Sequence, residues 1–330
     1  MKQYLAPKWL LSAVVLPIFL LWILSVYWSL EPELFDPEIL AKQQASQRNE
    51  SVVAGYTITT SLIKVTETLL NKSGGYLSND VLPPSVMMDN MPSWEFGALE
   101  MTRDLALAMR QDFSRSQSQS LENPFLTKAQ PQFNINNLSW ILPSSESAYQ
   151  DGIDNLYAYR SSLSDSRQQQ GQFYARADNL RDWLKQLEKR LGSFSQRLSA
   201  SVGQERLDTN LAGDAQAIQS TPTANRLAEK TSWWQLDDNF YEARGASWAL
   251  IHFLKAVEVD FADVLEKKNA KVSLQQIIRE LEATQESMWS PIILNGSGFG
   301  TLANHSLVMA NYISRANAAL IELSELLNQG

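Results

Sequence analysis

The stretch FYARADNLRDWLKQLEKRLGSFSQRL, residues 173–198, decides the fold class because its apolar residues recur at alternating steps of four and three. Charged residues such as Arg181, Lys185 and Glu188 occupy the remaining positions, so the spacing predicts a long amphipathic helix with a narrow apolar seam. We expect the seam to pack within its own chain rather than against a second copy. The seam positions are Phe173, Ala177, Leu180, Leu184, Leu187, Leu191, Phe194 and Leu198.

A similar spacing runs upstream from Tyr149 to Leu163, so residues 144–202 are predicted to form one region of long amphipathic helices. The polar residues 165–171 leave two alternatives open, a turn between two antiparallel helices or a weak point in one longer helix. Gly171 and the glutamines before it add nothing apolar to the seam, which favours a helical hairpin.

The region before this one, residues 51–143, also shows helical periodicity. Its first helix is expected to stop at Ser73, Gly74 and Gly75, and Ser93 is expected to cap a second helix. Residues 116–143 have no strong period and predict a long loop with short turns.

Residues 203–231 lose the apolar period and predict a linker before a C-terminal helical region, residues 232–330. This region is expected to begin with one long helix over residues 233–265, in which Gly245 is the weak point. Ser273 and Gln276 predict a capping box for the next helix, and the last helix is expected after Gly300. The chain shows no alternating strand series, so the predicted fold is all-α and bundle-like.

The N-terminal residues 9–30 contain no charged side chain and are mostly Leu, Val, Ile, Phe and Trp. As a helix they would rise roughly 33 Å, enough to cross a hydrocarbon core of about 30 Å. Lys2 and Lys8 precede the run and four acidic residues follow it by residue 38, so the positive-inside rule predicts that residues 1–8 are cytoplasmic. Residues 31–50 are then expected to form a polar juxtamembrane connector.

A cleaved signal peptide is the alternative for this N-terminal run. The run is longer than the usual apolar region of about 7–15 residues, and its end offers no small-x-small cleavage site. The sequence therefore favours an uncleaved signal anchor, which in a bacterium predicts a single-pass inner-membrane protein with a periplasmic body.

Composition excludes several chemistries. The chain has no cysteine, which excludes disulfides, thiolate metal sites and a cysteine nucleophile. Residues 31–330 carry 26 Lys and Arg against 36 Asp and Glu, so nucleic acid is not an expected partner. The two histidines have no metal-binding spacing, and we predict neither a metal site nor a cofactor.

Two groups of candidate site residues remain. Asn304, His305 and Ser306 follow a glycine-rich loop in which Gly296, Gly298 and Gly300 could present backbone N–H groups to an anion. In the second group, an aromatic cleft would bring together Trp233, Trp234, Trp248, Tyr241 and Phe240. His252 lies among apolar residues and is expected to be structural.

Five runs of sequence are characteristic as whole strings: residues 74–81, 89–97, 115–120, 295–306 and 309–317. Through them the chain resembles the bacterial family named domain of unknown function 2333, and the similarity extends over nearly the whole chain. The resemblance implies a proteobacterial single-span inner-membrane protein, without an activity, a cofactor or a site residue to carry over.

The leading hypothesis is a non-enzymatic periplasmic interaction or envelope-assembly module that binds an envelope protein. One alternative is a periplasmic hydrolase or transferase that uses the loop around His305, which leaves enzymatic activity open although disfavoured. Another is a small-ligand or lipid sensor that uses the aromatic cleft. The sequence leaves the oligomeric state and the partner's identity open.

Overall fold

A computed structural model of the chain describes residues 8–117, 120–165, 171–207, 226–290 and 292–329. Within these ranges the fold is almost entirely helical, as the periodicity predicts. The helices are α1 (Lys8–Trp28), α2 (Pro37–Arg48), α3 (Tyr56–Asn71), α4 (Asn90–Ala108), α5 (Pro124–Phe133), α6 (Ser145–Ser164), α7 (Ala177–Ser199), α8 (Leu236–Asp260), α9 (Ala262–Lys267), α10 (Lys271–Ala283) and α11 (His305–Asn328).

The exception to the helical fold is a two-stranded antiparallel ladder that the sequence did not predict. Strand β1 (Gln204–Leu207) pairs with β2 (Arg226–Glu229), so Gln204 faces Glu229. Both strands lie in the segment predicted as a linker, and residues 208–225 of that segment lie outside the described residues.

The centre of the bundle is the crossing of α4 and α8, where two glycines let the backbones meet. A Cβ added to Gly245 would lie 1.9 Å from the carbonyl oxygen of Trp94, and one added to Gly97 would lie 1.9 Å from that of Glu242. Each glycine therefore allows a close approach by the other helix. The sequence predicts a weak point of the helix at Gly245, whereas the close approach of α4 and α8 requires a glycine at this position.

The apolar seam of α7 is buried inside the chain, as predicted. Its leucines from Leu180 to Leu198 are at most 1% exposed, and α7 packs mainly along α11. Helices α6 and α7 are separate elements, but α6 packs chiefly on α5 and α3. The two helices therefore do not form the predicted closely packed hairpin, and residues 166–170 of the connection lie outside the described residues.

Several helix boundaries differ from the expectation. Helix α4 is capped by Asp89 rather than Ser93, and α5 lies within the segment predicted as a loop. The long helix predicted over residues 233–265 is interrupted at Phe261, between α8 and α9. The predicted capping box at Ser273 is absent, because α10 already begins at Lys271.

The segment after α1 is docked on the body. The Phe35 ring stacks on the His252 imidazole at 3.8 Å between centroids, and the Phe35 N–H donates to His252 Nε2 at 3.1 Å. Glu31 pairs with Arg244 at 2.7 Å. Helix α2 then follows, with Pro37 in its first turn and Asp36 as its cap. The polar connector predicted for residues 31–50 thus contains a helix and is attached to α8.

Helix α1 itself projects from the bundle. Its described side chains from Val15 to Ile23 are exposed, whereas Trp28 lies against Gly74, just after the end of α3. Among the residues that the structure describes, no helix has the length and apolar character needed to cross a membrane.

His252 should make stability depend on pH. Burial lowers the pKa of His252 from 6.5 to about 3, and its Nδ1 donates to the Trp248 carbonyl at 2.7 Å. The folded protein therefore keeps the ring neutral, while the unfolded chain gains a proton as the pH falls below 6.5. The resulting stability is fully present above pH 6.5 and is lost progressively as the pH falls towards 3.

We expect the free energy of unfolding to fall by about 2–3 kcal/mol more between pH 6.5 and 4.5 in the native chain than in His252→Gln. Glutamine does not titrate and can still accept the Phe35 N–H. Denaturant unfolding of both full-length proteins in detergent, followed by near-UV circular dichroism, measures this difference. Identical pH slopes would show that His252 is not the group responsible.

Candidate functional site

The candidate site is an apolar cleft where α8, the end of α10 and the start of α11 meet. Its volume is about 590 Å³, within the range of small-molecule and peptide-anchor sites. Apolar side chains dominate the wall. The principal lining residues are Phe240, Arg244, Thr284, Glu286, Met288, Trp289, Leu294, His305, Val308, Met309 and Tyr312.

The predicted glycine-rich loop connects two lining residues of this cleft, Leu294 and His305, and is held by local hydrogen bonds. Asn304 caps α11 through its Oδ1, which accepts the Leu307 N–H at 2.8 Å, and its Nδ2 donates to the Gly296 carbonyl at 2.7 Å. Ser306 Oγ donates to Asn295 Oδ1 at 2.9 Å. The side-chain groups of Asn304 and Ser306 are therefore engaged in holding the start of α11.

The three glycines lie in a tight turn, and one of their N–H groups is engaged within the turn. Gly296 donates its N–H to the Ala303 carbonyl at 2.9 Å, and a Cβ there would lie 2.1 Å from the Leu302 carbonyl oxygen. Gly298 has a φ of +81°, which glycine adopts without strain. A Cβ on Gly300 would meet the Ser297 hydroxyl at 2.7 Å. These residues shape a tight turn, with the Gly296 N–H already used.

His305 is the candidate catalytic residue that does reach the cleft. Its backbone N–H donates to the Leu294 carbonyl at 2.8 Å, and its Nδ1 accepts the Leu294 N–H at 3.1 Å. A ring that accepts at Nδ1 carries its proton on Nε2. Within the described part of the chain Nε2 has no hydrogen-bond partner, so the ring offers the cleft one donor.

Arg244 is the charged residue most deeply set in the cleft wall. Its Nε donates to Glu31, and its terminal nitrogens donate to the carbonyls of Thr284, Gln285 and Glu286 at 2.7–3.2 Å. The Glu31 carboxylate thus neutralises the guanidinium, and four of its five N–H groups are used. It fixes the cleft wall, and it is poorly placed to bind an anionic ligand.

The chemistry available in the cleft is limited. Among the described residues no carboxylate hydrogen-bonds to the His305 ring, and no group of His, Asp and Glu could hold a metal ion. Glu286 lines the cleft but is exposed and does not contact His305 through a hydrogen bond. A nucleophile with an oriented base is therefore not assembled there, whereas apolar side chains can be buried.

The predicted aromatic cleft is not formed. Trp248 is buried in the core, where its ring lies 5.1 Å from that of Trp94 and 4.5 Å from that of His252. Trp233 and Trp234 are exposed on a 3₁₀ turn before α8. Only Phe240 of that group lines the cleft described above. The prediction failed because the three tryptophans lie on different faces of the α8 region.

The sequence reasoning missed most of the cleft wall. Arg244, Met288, Trp289 and Tyr312 come from α8, from the segment after α10 and from α11. The available signal was Trp289, a large aromatic residue beside Ser290 and Pro291 in a segment without helical periodicity. Such a tryptophan is typical of a binding surface.

Comparison with known proteins shows the family. The model of a family described as "uncharacterized protein conserved in bacteria (DUF2333)" matches residues 3–330. The chain belongs to this family. Neither the curated proteins nor the solved structures contain a match to it. The resemblance inferred from the sequence motifs is confirmed, and it extends over both the cleft and α1.

Proposed function

We propose that the chain is a non-enzymatic binding protein, anchored in the bacterial inner membrane by residues 9–30, with its body in the periplasm. Support for the anchor comes from the uncharged run in the sequence and from the exposed apolar side chains of α1. The basic residues before the run and the acidic ones after it support the orientation.

The observation that carries the binding function is the apolar cleft beside His305. Its volume suits two or three apolar side chains of a short segment, and its deepest charge, Arg244, is already paired with Glu31. We therefore propose that the occupant is an uncharged apolar segment of an envelope protein. The His305 Nε2–H gives such a segment one directional hydrogen bond, for example to a backbone carbonyl.

A photo-crosslinking residue at Tyr312 tests this function in living cells. We expect a discrete crosslinked product with a second protein, and we expect at least a tenfold loss of that product when Val308→Lys places a charge in the cleft. The matched control is Ile321→Lys, which adds the same charge to an exposed apolar position of α11 outside the cleft lining. This control should retain the product.

Three outcomes would contradict the proposal. Recovery of monomer alone would remove the partner, and equal loss in both lysine variants would remove the cleft as its site. A product containing only lipid would favour the lipid-sensor alternative. Orientation is checked separately with Leu121→Cys, which an impermeant thiol reagent should label from the periplasmic side.

A further inference from the structure

Exposed apolar residues are concentrated at the end of the bundle from which α1 departs. Trp28 at the end of α1 lies against Gly74, just beyond the last residue of α3, and α1 otherwise projects into the surroundings. Glu31 then reaches Arg244, which holds the carbonyl of Thr284 at the end of α10. The loop after α10 thus lies at the same end as α1.

Side-chain contacts also place the loops after α3 and before α6 at this end. The Tyr76 hydroxyl donates to the Asn137 carbonyl at 3.2 Å, and Asn79 Nδ2 donates to the Ser139 carbonyl at 2.8 Å. The segments after α3 and before α6 therefore touch. These contacts place residues 76–89 and 136–143 next to the end of α3, where Trp28 lies.

The first turns of α4, α8 and α11 lie at the same end of the bundle. Ser93 Oγ donates to Asp238 Oδ1 at 3.0 Å, which joins the first turns of α4 and α8. Ser195, near the end of α7, donates to the Ala310 carbonyl in the second turn of α11 at 3.3 Å. The 3₁₀ turn before α8 and the glycine-rich loop before α11 consequently share the end with α1.

Each of these loops exposes apolar side chains. Phe299, Trp289 and Leu142 are almost completely exposed, an arrangement that would be unfavourable in water for so many residues at one end. The exposed set comprises Val81, Leu82, Val86, Met87, Leu138, Trp140, Ile141, Leu142, Trp233, Trp234, Trp289, Ile292, Phe299 and Leu302.

The charges at this end indicate which surface it meets. Residues 138–144, 231–235 and 287–304 contain no Asp, Glu, Lys or Arg, and residues 76–89 carry only the two acidic residues Asp80 and Asp89. A surface that bound anionic headgroups by attraction would need Lys or Arg beside its apolar residues. Aromatic and aliphatic side chains without basic residues instead suit insertion into the interfacial region of a bilayer, where Trp is favoured.

We propose that these four loops insert into the interfacial region of the same membrane that α1 crosses, so that the body contacts the bilayer through them. This inference rests on the membrane anchoring proposed above and adds a second, peripheral contact to it. The cleft beside His305 includes Trp289 and therefore lies at the membrane surface. A lipid-proximal cleft of this kind would meet partner segments as they emerge from the bilayer.

The absence of cysteine allows a direct test with single-cysteine variants of the full-length chain. An environment-sensitive fluorophore is attached to the new cysteine of Met87→Cys, Leu142→Cys and Phe299→Cys. Each labelled protein is then placed in nanodiscs of zwitterionic lipid that hold one copy of the chain. The matched control is Leu121→Cys, which is 96% exposed, as Leu142 is at 95%, but lies beyond the opposite end of α4. A probe at Leu20→Cys in α1 reports whether α1 lies in the bilayer.

We expect nitroxide-labelled lipids to quench the probes at positions 87, 142 and 299 several-fold more strongly than the probe at 121. Aqueous iodide should show the reverse order, and neither result should change with salt concentration. All variants substitute exposed residues, and near-UV circular dichroism verifies their fold.

The outcomes separate the two proposals. If the probe at 20 is quenched by lipid while those at 87, 142 and 299 match the one at 121, the anchor stands and the loop insertion is wrong; the loops would then be free for a protein partner. If the probe at 20 is quenched by iodide and not by lipid, the anchor itself is wrong. Lipid quenching at only one or two of the probes at 87, 142 and 299 would also overturn the four-loop contact.

Discussion

Gly245→Ala should destabilise the protein by about 3 kcal/mol or more, and Gly97→Ala should do the same. In each variant the new methyl group would lie 1.9 Å from a backbone carbonyl oxygen of the facing helix. A backbone atom cannot rotate away as a side chain can. The two helices must therefore separate along their whole crossing, which opens the core around Trp94 and Trp248.

Gly192→Ala is the matched control for this prediction. Gly192 also lies within a helix, α7, but the nearest atom to an added Cβ is Asn317 Nδ2 at 3.7 Å, an ordinary contact. Alanine there should be neutral or should stabilise the helix by up to about 1 kcal/mol. Denaturant unfolding of the three full-length variants in detergent measures the contrast. A similar loss at all three positions would mean that close approach is not the cause.

Lys72→Met should cost about 3–5 kcal/mol because it leaves a buried carboxylate without its cation. Lys72 Nζ lies 2.6 Å from Glu95 Oε1, and both side chains are almost completely buried. Glu95 also accepts the backbone N–H groups of Leu77 and Ser78 at 2.9 Å and so holds the loop after α3 against α4. Removal of Lys72 therefore weakens the contact through which Glu95 holds this loop against α4.

The pH dependence distinguishes this cause from a loss of packing. Burial raises the pKa of Glu95, and Lys72 partly offsets that rise. Without Lys72 the carboxyl takes up a proton more readily, and protonation removes the buried charge. The deficit of Lys72→Met relative to the native chain should consequently shrink as the pH falls from 8 to 5. A pH-independent deficit would contradict the electrostatic cause.

Lys42→Met is the control for the buried pair. Lys42 forms an ion pair with Glu38 on the same helix, but both side chains are more than half exposed. Solvent screens such a pair, so its removal should change stability by less than about 1 kcal/mol. Unfolding curves of both methionine variants at pH 8 provide the comparison.

The sequence predicts elements well where an apolar period is long. The α7 seam is the clearest case, because seven of its eight apolar positions describe one face of this helix whatever that face contacts; Phe173 precedes the helix. The apolar period does not reveal which helix the face contacts, because the tertiary fold determines that this helix is α11.

The two helices that were missed, α2 and α5, share a signal that a period search overlooks. Each begins with a capping side chain followed by proline, Asp36 before Pro37 and Asn123 before Pro124. Proline in the first helical turn supports a helix, because its missing N–H has no partner there and its φ suits the helix.

The candidate site could be predicted only in part. His305 was found because histidine is rare in this chain, but its hydrogen bond to Leu294 depends on a loop closure that residue spacing does not reveal. The reciprocal contact of Gly97 and Gly245 joins residues nearly 150 positions apart, so a single sequence shows each glycine only as a local weakness.

The ion pair of Glu31 and Arg244 has a mechanical consequence. Glu31 follows α1 by three residues, and its partner is a wall residue of the cleft that also grips three carbonyls after α10. Together with the Phe35 stack on His252, this pair attaches the segment after α1 to α8 at two points. A tilt or rotation of α1 would therefore displace Arg244 and, through it, the cleft wall.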